Sequence, residues 1–296
     1  MGAAAALASS ALWALTSVLL ASQAGRLRPL VISAIRSITA SLMLIGLLVA
    51  TSGLAQMDQM TFITGISMAG SGIMGQAVGD TLYINALGSL GVTRTFPIAN
   101  SAYPFLTFVL AVLLLGEDVT WTLPIGGALI VSGISWIVRE QQRGTDFDAV
   151  GARAELLRGV VFAVAAALAW ATATVWLRGQ QGDLTALGAA SLRIPAACAA
   201  VLLTLSLTSN GQRPLRAVSR HSLTVVALAG LLGTGLGSIF FIYAVDDLGA
   251  ARTAFLTTSA PVFALPMGVI FLSEQVTPRE LIGTALTIAG IWLVLL

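Results

Sequence analysis

The chain has 296 residues, of which 57% are hydrophobic and only 9% charged, and its formal net charge at pH 7 is +2. Soluble domains carry roughly a quarter charged residues, so this composition excludes an ordinary soluble protein and indicates a protein of the membrane. A net charge this close to zero also gives no electrostatic basis for binding nucleic acid.

Ten apolar segments follow one another along the chain. Each is long enough for a helix that crosses the hydrocarbon core of a bilayer, which needs about 20 residues. The sequence therefore predicts an all-α membrane protein of ten transmembrane helices. The predicted spans are 3–21, 30–50, 61–88, 91–115, 121–138, 156–177, 184–207, 222–245, 250–272 and 279–296.

The polar connections indicate how the chain is divided. Only two connections are long and polar: residues 139–155, between the halves of the chain, and residues 208–221. The other connections are too short to hold a soluble domain. We therefore expect one membrane domain with helices 1–5 in residues 1–139, a linker at 140–155, and helices 6–10 in residues 156–296.

The two halves resemble one another in sequence. Trp170 follows Trp13 by 157 positions, and the same shift places Pro261 on Pro104. An odd number of spans in each repeat makes the two repeats point in opposite directions across the membrane. Inverted repeats are typical of secondary transporters, whose substrate site lies near the bilayer midplane between the repeats.

Arginine placement predicts the orientation. The side that carries the linker and the loop 208–221 is rich in arginine, whereas the other side holds acidic residues such as Asp118, Asp183 and Asp246. Because cytoplasmic loops carry an excess of basic residues, we expect the arginine-rich side to be cytoplasmic and both termini to lie outside.

Two recurring stretches carry a resemblance to a known family. Each has an acidic residue, a short turn and then a helix with spaced glycines; they read LLLGEDVTWTLPIGGALIVSGI at 113–134 and IFLSEQVTPRELIGTALTIAGI at 270–291. These stretches resemble the closing part of the EamA repeat of the drug/metabolite transporter superfamily. The segments 9–20 and 165–176 resemble the start of the same repeat. The resemblance implies ten helices in inverted repeats and a secondary carrier of small organic solutes, expected in the bacterial inner membrane.

The chain also resembles the YddG-type amino-acid exporters within that superfamily. In those exporters an aromatic residue precedes the proline of the fourth helix, and a tryptophan marks the sixth helix. The matching residues here are Tyr103, Pro104 and Trp170. The resemblance implies export of amino acids by alternating access.

Polar and aromatic residues near the midplane are candidates for a substrate site. A proline inside a helix frees a carbonyl group and bends the helix, so we expect helix kinks at Pro104 and Pro261 that open polar groups to a cavity. Kinks without any role in ligand binding remain an equal alternative. The predicted substrate-binding residues are Trp13, Asn100, Ser101, Tyr103, Trp170, Thr257 and Thr258.

Charged residues inside the spans suggest gates. An unpaired charge at the centre of a membrane helix costs about 3 kcal/mol on insertion scales, so such residues pair, reach the interface or line water. Reaching the interface is the alternative for Arg94 and Arg252, which begin helices. The predicted gating residues are Arg36, Asp80 and Arg94 on the cytoplasmic side, and Arg193, Arg252 and Asp246 or Asp247 on the other.

Two pairs of glycines recur in the third and eighth spans. Gly75 and Gly79 form the first pair, and Gly233 and Gly237 the second. Glycines four residues apart share one helix face and let another helix approach closely. We predict close packing there; sliding surfaces in a transport cycle are the functional alternative.

The remaining chemistry favours a transporter over an enzyme. The sequence has no P-loop, no dinucleotide-binding glycine pattern, no zinc-ligand spacing and no nucleophile–base pair, so we expect no ATP-driven pumping, no cofactor and no metal. The expected partners are a small solute such as an amino acid and the lipid bilayer; the oligomeric state stays open, and a monomer could suffice. A multidrug or nucleotide-sugar carrier is the alternative, and a membrane scaffold or enzyme a distant one.

Overall fold

The computed structural model describes residues 1–21, 23, 26–51, 53–58, 60–90, 92–118, 120–141, 153–208, 218–263, 266 and 277–296, which hold helices and no strand. In the first half these are α1 (Gly2–Ala21), α2 (Pro29–Ala50), α3 (Ala55–Asp58), α4 (Phe62–Gly72), α5 (Asp80–Leu90), α6 (Val92–Leu115) and α7 (Thr122–Gln141). In the second half they are α8 (Arg153–Gln180), α9 (Ala186–Thr208), α10 (Arg220–Ala229), α11 (Gly237–Leu248), α12 (Ala250–Thr257) and α13 (Pro278–Leu295).

The lengths and hydropathy of the helices confirm an all-helical membrane protein. Six described stretches are long and apolar enough to cross a bilayer, and two shorter apolar helices accompany them at 122–136 and 281–295. The predicted span 61–88 is helical but is not among the six, and the predicted span 250–272 extends beyond the described residues. The count of ten transmembrane helices stays a prediction.

Several predicted features fall outside the described part of the chain. They are residues 142–152 of the linker, most of the loop 208–221, the side chain of Arg94, and Glu274.

Two long helical stretches each contain a π-helical segment between two α-helices. Residues Ile73–Gly79 join α4 to α5, and residues Gly230–Leu236 join α10 to α11, and both are π-helical. A π-helix closes its hydrogen bonds one residue further along the chain than an α-helix; it is rare and frequently lies at functional sites. The two segments contain the recurring glycines Gly75 and Gly233, so the winding change occurs at corresponding places in both halves.

Most of the helix packing joins one half of the chain to the other. Helices α7 and α13 form the most extensive pair, α6 and α5 pack on α8, α2 packs on α9, and α1 packs on α11. The closeness of α7 and α13 depends on glycine: a Cβ at Gly126 would come 2.7 Å from the carbonyl oxygen of Gly290. The centre of the molecule is therefore the surface shared by the two halves.

The prolines have different effects on their helices. Helix α6 continues through Pro104, whereas α12 ends at Thr257 and the chain becomes helical again one residue before Pro261. The structure also places Pro195 inside α9, where the sequence analysis did not expect a bend. A ligand-related role for Pro104 and Pro261 stays a prediction.

Candidate substrate site

A cavity of about 570 Å³ lies between the two halves of the chain. Its wall contains three charged side chains, Arg36, Asp80 and Arg193, and several hydroxyl and aromatic groups. Of the predicted site residues, the cavity brings together Trp13, Arg36, Asp80, Asn100, Tyr103, Trp170, Arg193, Thr257, Thr258 and Pro261.

The remaining predicted residues lie elsewhere. Ser101 and Pro104 occupy other positions on α6 and do not line the cavity, nor do Asp246 and Arg252. The side chain of Arg94 is outside the described part of the chain. Substrate-binding and gating roles for all of these residues stay predictions.

Trp170 on α8 forms the centre of one wall. Its indole Nε1 donates a hydrogen bond to Asp80 Oδ1 across 3.1 Å. The ring of Tyr103 stands edge-on to it, with centroids 6.4 Å apart, and Tyr83 packs on it at 5.3 Å. The indole fits against the π-helical segment Ile73–Gly79 because Gly79 has no side chain: a Cβ there would lie 2.5 Å from the indole Cδ1.

Trp13 on α1 occupies the corresponding position in the first half. Its Nε1 donates to the backbone carbonyl oxygen of Gly233, 3.1 Å away, which belongs to the second π-helical segment. A Cβ on Gly237 would lie 3.0 Å from the same Nε1. Both tryptophans therefore pack on glycines of the opposite half, which supports the packing interpretation of the recurring glycines.

Hydroxyl groups complete the wall near the end of α12. The Tyr103 hydroxyl lies 3.2 Å from Thr174 Oγ1. Thr257 and Thr258 direct their hydroxyl protons to carbonyl groups of their own helix, such as Ala254 O. Their lone pairs stay available to accept a hydrogen bond, because a hydroxyl oxygen has two acceptor sites.

The two arginines are held differently. Arg193 is only 8% exposed, and its Nη1 donates to Ser71 Oγ at 2.6 Å. Arg36 donates from Nη2 to Thr234 Oγ1 at 3.0 Å, while its Nε is buried without a hydrogen-bond partner. No nitrogen of Arg36 lies within 4.0 Å of an oxygen of Asp80, so these two described residues form no ion pair in this conformation.

The cavity reaches one end of the helix bundle. On α1 its lining residues lie between Trp13 and Leu20, one residue before the helix ends. On α2 they are Ser33, Arg36 and Ser37, in the first half of the helix. The cavity therefore extends from the middle of the bundle towards the side where α1 and α2 are connected, which is the arginine-rich side.

Polar contacts join helix ends at the opposite end of the bundle, both within the second half and between the halves. Arg178 Nη1 lies 3.1 Å from Asp246 Oδ1, and the Gly2 amide donates to Asp247 Oδ2 at 2.6 Å. Arg193 and Arg252 were the expected partners of these aspartates from the sequence. Arg193 lies on α9, deeper in the bundle than the helix ends that carry the aspartates. It therefore contacts Ser71 on α4 instead.

Glu117 makes a further contact at this end of the bundle that the sequence did not predict. Its carboxylate accepts hydrogen bonds from the amides of Ala250, at 2.6 Å, and Ala251, at 3.1 Å. These amides begin α12, whose first N–H groups have no partner within the helix. Glu117 thus fixes the helix that brings Thr257 to the cavity. The recurrence of an acidic residue in both closing stretches was the available signal.

Comparison with known protein families places the chain among membrane transporters. It matches the EamA-like transporter family over residues 1–139 and again over residues 157–296. It is 31% identical over 189 residues to an uncharacterized protein of Pseudomonas aeruginosa, covering 64% of this chain and 60% of that one. The chain therefore spans about three fifths of that relative's length.

Two further relatives and one solved structure are more distant. Protein LicB of Haemophilus influenzae is 24% identical, covering 75% of this chain and 72% of that protein. An uncharacterized transporter of Archaeoglobus fulgidus is 24% identical, covering 79% of this chain and 77% of that protein. A solved crystal structure superposes with a TM-score of 0.79 at 18% identity, covering 99% of this chain and 95% of that chain. It shows a shared fold.

Proposed function

The chain belongs to the EamA-like transporter family, and we propose that it exports small polar or zwitterionic metabolites, above all amino acids, by alternating access. The family match confirms the resemblance to the EamA repeat, and the apolar helices make the chain an integral membrane protein. A position in the bacterial inner membrane is consistent with its bacterial relatives.

The cavity between the halves carries this proposal. It combines carboxylate and guanidinium groups with aromatic rings and hydroxyls in one central space. Asp80 offers a negative charge and Arg36 a positive one, and they are not neutralised by a direct ion pair. A zwitterion such as an amino acid complements both signs at once.

The geometry of the two ends supports alternating access. In this conformation the cavity extends towards the arginine-rich side, which we propose is cytoplasmic, while contacts of Arg178, Asp246 and Glu117 join helix ends on the other side. Ten helices in two inverted repeats would let the same elements close the cytoplasmic side in a second conformation. A solute shifts the balance between the two conformations only if it contacts them differently.

Transport in proteoliposomes tests the proposal. Purified protein is reconstituted, and counterflow of each amino acid is measured with and without a pH gradient. We expect at least one amino acid to exchange above the rate of empty vesicles. A complete lack of exchange across the amino acids, in protein that keeps its folded state, contradicts amino-acid transport.

A carrier for larger solutes is the second candidate. The cavity of about 570 Å³ lies within the range of roughly 300–1,000 Å³ that is typical of sites for drug-sized ligands. Organic amines and nucleotide sugars in the same counterflow assay distinguish this candidate. Exchange of these compounds without exchange of amino acids would support it.

A further inference from the structure

In the cavity, one edge of the Arg36 guanidinium group presents two N–H donors, and only one of them has a hydrogen-bond partner, a hydroxyl group. We propose that Arg36 binds the carboxylate of the transported solute side-on, through Nε and Nη2, so that the chain selects solutes with a planar anionic group. This inference rests on the proposed function and names the substrate class of the same cavity.

The first observation is the state of the guanidinium group of Arg36. Its Nη2 donates to the hydroxyl of Thr234 at 3.0 Å, and its Nε is buried with no partner. In arginine these two N–H groups lie on one edge, where they match the two oxygens of a carboxylate. A single hydroxyl oxygen satisfies only half of that edge, and a buried donor without a partner is unfavourable.

The second observation is the charge balance of the wall. Among the described residues that line the cavity, the charged groups are Arg36, Arg193 and Asp80. Two guanidinium groups face one carboxylate, and that carboxylate already accepts a hydrogen bond from Trp170. Charge inside a membrane protein is stable only with a counter-charge or water. A solute that brings a negative group balances the wall.

The third observation separates Arg36 from Arg193. Arg193 is 8% exposed and donates to Ser71 Oγ at 2.6 Å, with Ala173 O at 3.5 Å from the same nitrogen. It therefore joins α9 to α4 and α8. Arg36 is bonded to one cavity-lining hydroxyl that a solute oxygen can replace. Arg36 is thus the residue that a solute reaches, while Arg193 supplies positive potential behind it.

A competition assay tests this selection. For each amino acid that the wild type exchanges, inhibition of counterflow is measured with its methyl ester, which lacks the carboxylate, and with its N-acetyl derivative, which keeps it. Because a charge-assisted bidentate contact is lost, we expect the ester to compete about tenfold or more weakly than the parent amino acid. The N-acetyl derivative should compete better than the ester.

Substitution at Arg36 assigns the effect to this residue. Arg36→Gln should remove the preference for the acid over the ester, and Arg36→Lys should restore it in part, because lysine keeps the charge but not the forked edge. Arg158→Gln, in an exposed residue that packs on Phe162, is the matched control and should keep the preference. Thermal unfolding of each variant checks that it is folded.

The outcomes separate the inference from the proposed function. If esters compete as well as acids, or if folded Arg36→Gln keeps the preference, the inference is wrong while the carrier function stands.

If the wild type exchanges no amino acid, the proposed function fails for amino acids. The Arg36 assignment is then tested in nanodiscs by the shift in Tm with acetate, succinate and phosphate. A shift with carboxylates that Arg36→Gln abolishes supports the site; a shift with phosphate alone, or no shift that depends on Arg36, overturns it.

Discussion

Asp80 and Trp170 come from opposite halves of the chain and are joined by a hydrogen bond of 3.1 Å from the indole to the carboxylate. The corresponding tryptophan, Trp13, instead donates to a backbone carbonyl, that of Gly233. Ser238 stands in the second half where Asp80 stands in the first. A carboxylate is therefore not needed to hold a tryptophan in this position, and the negative charge of Asp80 is available for gating or solute binding.

Asp80→Asn separates the charge of this residue from its hydrogen bond. Asparagine keeps an oxygen that accepts from Trp170, so we expect thermal stability to fall by about 1 kcal/mol or less. Transport of zwitterionic solutes should decrease, and labelling of a cysteine placed at Ser33 should increase, because the proposed cytoplasmic gate loses the negative charge that would attract Arg36. Unchanged labelling together with normal transport would make Asp80 a structural partner of Trp170 alone.

Glu117→Ala should destabilise the protein. The substitution leaves two amide groups at the beginning of α12 without their acceptor, and loss of a helix N-terminal cap costs about 1–2 kcal/mol. Thermal unfolding in detergent measures the change. Asp118→Asn, in an exposed neighbour, serves as the control and should leave Tm unchanged; an equal loss in both variants would argue against specific capping.

Gly79→Ala and Gly237→Ala test the packing of the two tryptophans. A Cβ at Gly79 would lie 2.5 Å from Trp170 and one at Gly237 would lie 3.0 Å from Trp13, so the indoles must move and Tm should fall, more for Gly79. Gly46→Ala provides the comparison, because nothing lies within 4 Å of its Cβ position. There, alanine should be neutral or stabilise the helix by about 0.5–1 kcal/mol. Equal Tm values in all three variants would contradict close packing.

Tyr103→Phe should weaken solute binding more than it weakens the fold. The hydroxyl lies in the cavity wall, 3.2 Å from Thr174 Oγ1, whereas the ring packing on Trp170 is retained. We expect the KM for amino-acid counterflow to rise several-fold, with a shift in Tm equivalent to about 1 kcal/mol. Tyr243→Phe, in a residue that is 40% exposed, should change neither quantity; a large loss of Tm with normal KM in Tyr103→Phe would identify a packing residue.

Cysteine labelling tests the orientation. In a Cys198→Ser background, Asp118→Cys and His221→Cys place exposed thiols on opposite sides of the predicted membrane. Because the arginine-rich side is expected to be cytoplasmic, a membrane-impermeant reagent added to intact cells should label position 118 and not position 221. The reverse pattern would invert the assignment, and labelling at both positions would contradict the predicted number of spans between them.

The sequence was sufficient for the helical membrane fold, and it identified the charged residues and several of the aromatic and hydroxyl residues that line the cavity. Apolar length predicts helices directly, and the repeat marks residues at the same depth. It was harder to predict which side of each helix faces the cavity. Asn100 and Tyr103 line the cavity, whereas Ser101 does not, because residues three apart share a helix face and adjacent residues do not. Only the structure, which fixes the rotation of α6 about its axis, shows that Asn100 lines the cavity and the adjacent Ser101 does not.

Other parts of the site depend on contacts that have no local pattern. Arg193 donates to Ser71, 122 positions away in the chain, and Glu117 caps a helix 133 positions away. The π-helical segments also escape periodicity, because one additional residue in a turn alters the winding without changing composition. Such features follow from tertiary packing and not from local propensity.

Each half of the chain contributes a tryptophan that packs against glycines of the other half, and this has a consequence for synthesis of the protein. When the first half leaves the ribosome, the groove at Gly79 has no indole to fill it and the indole of Trp13 has no carbonyl to receive it. The helices of the first half therefore lack these two contacts until the helices of the second half are inserted. Truncation after residue 141 would leave a fragment in which Trp13 and Gly79 lack these partners, and we expect that fragment to be less stable than the whole chain.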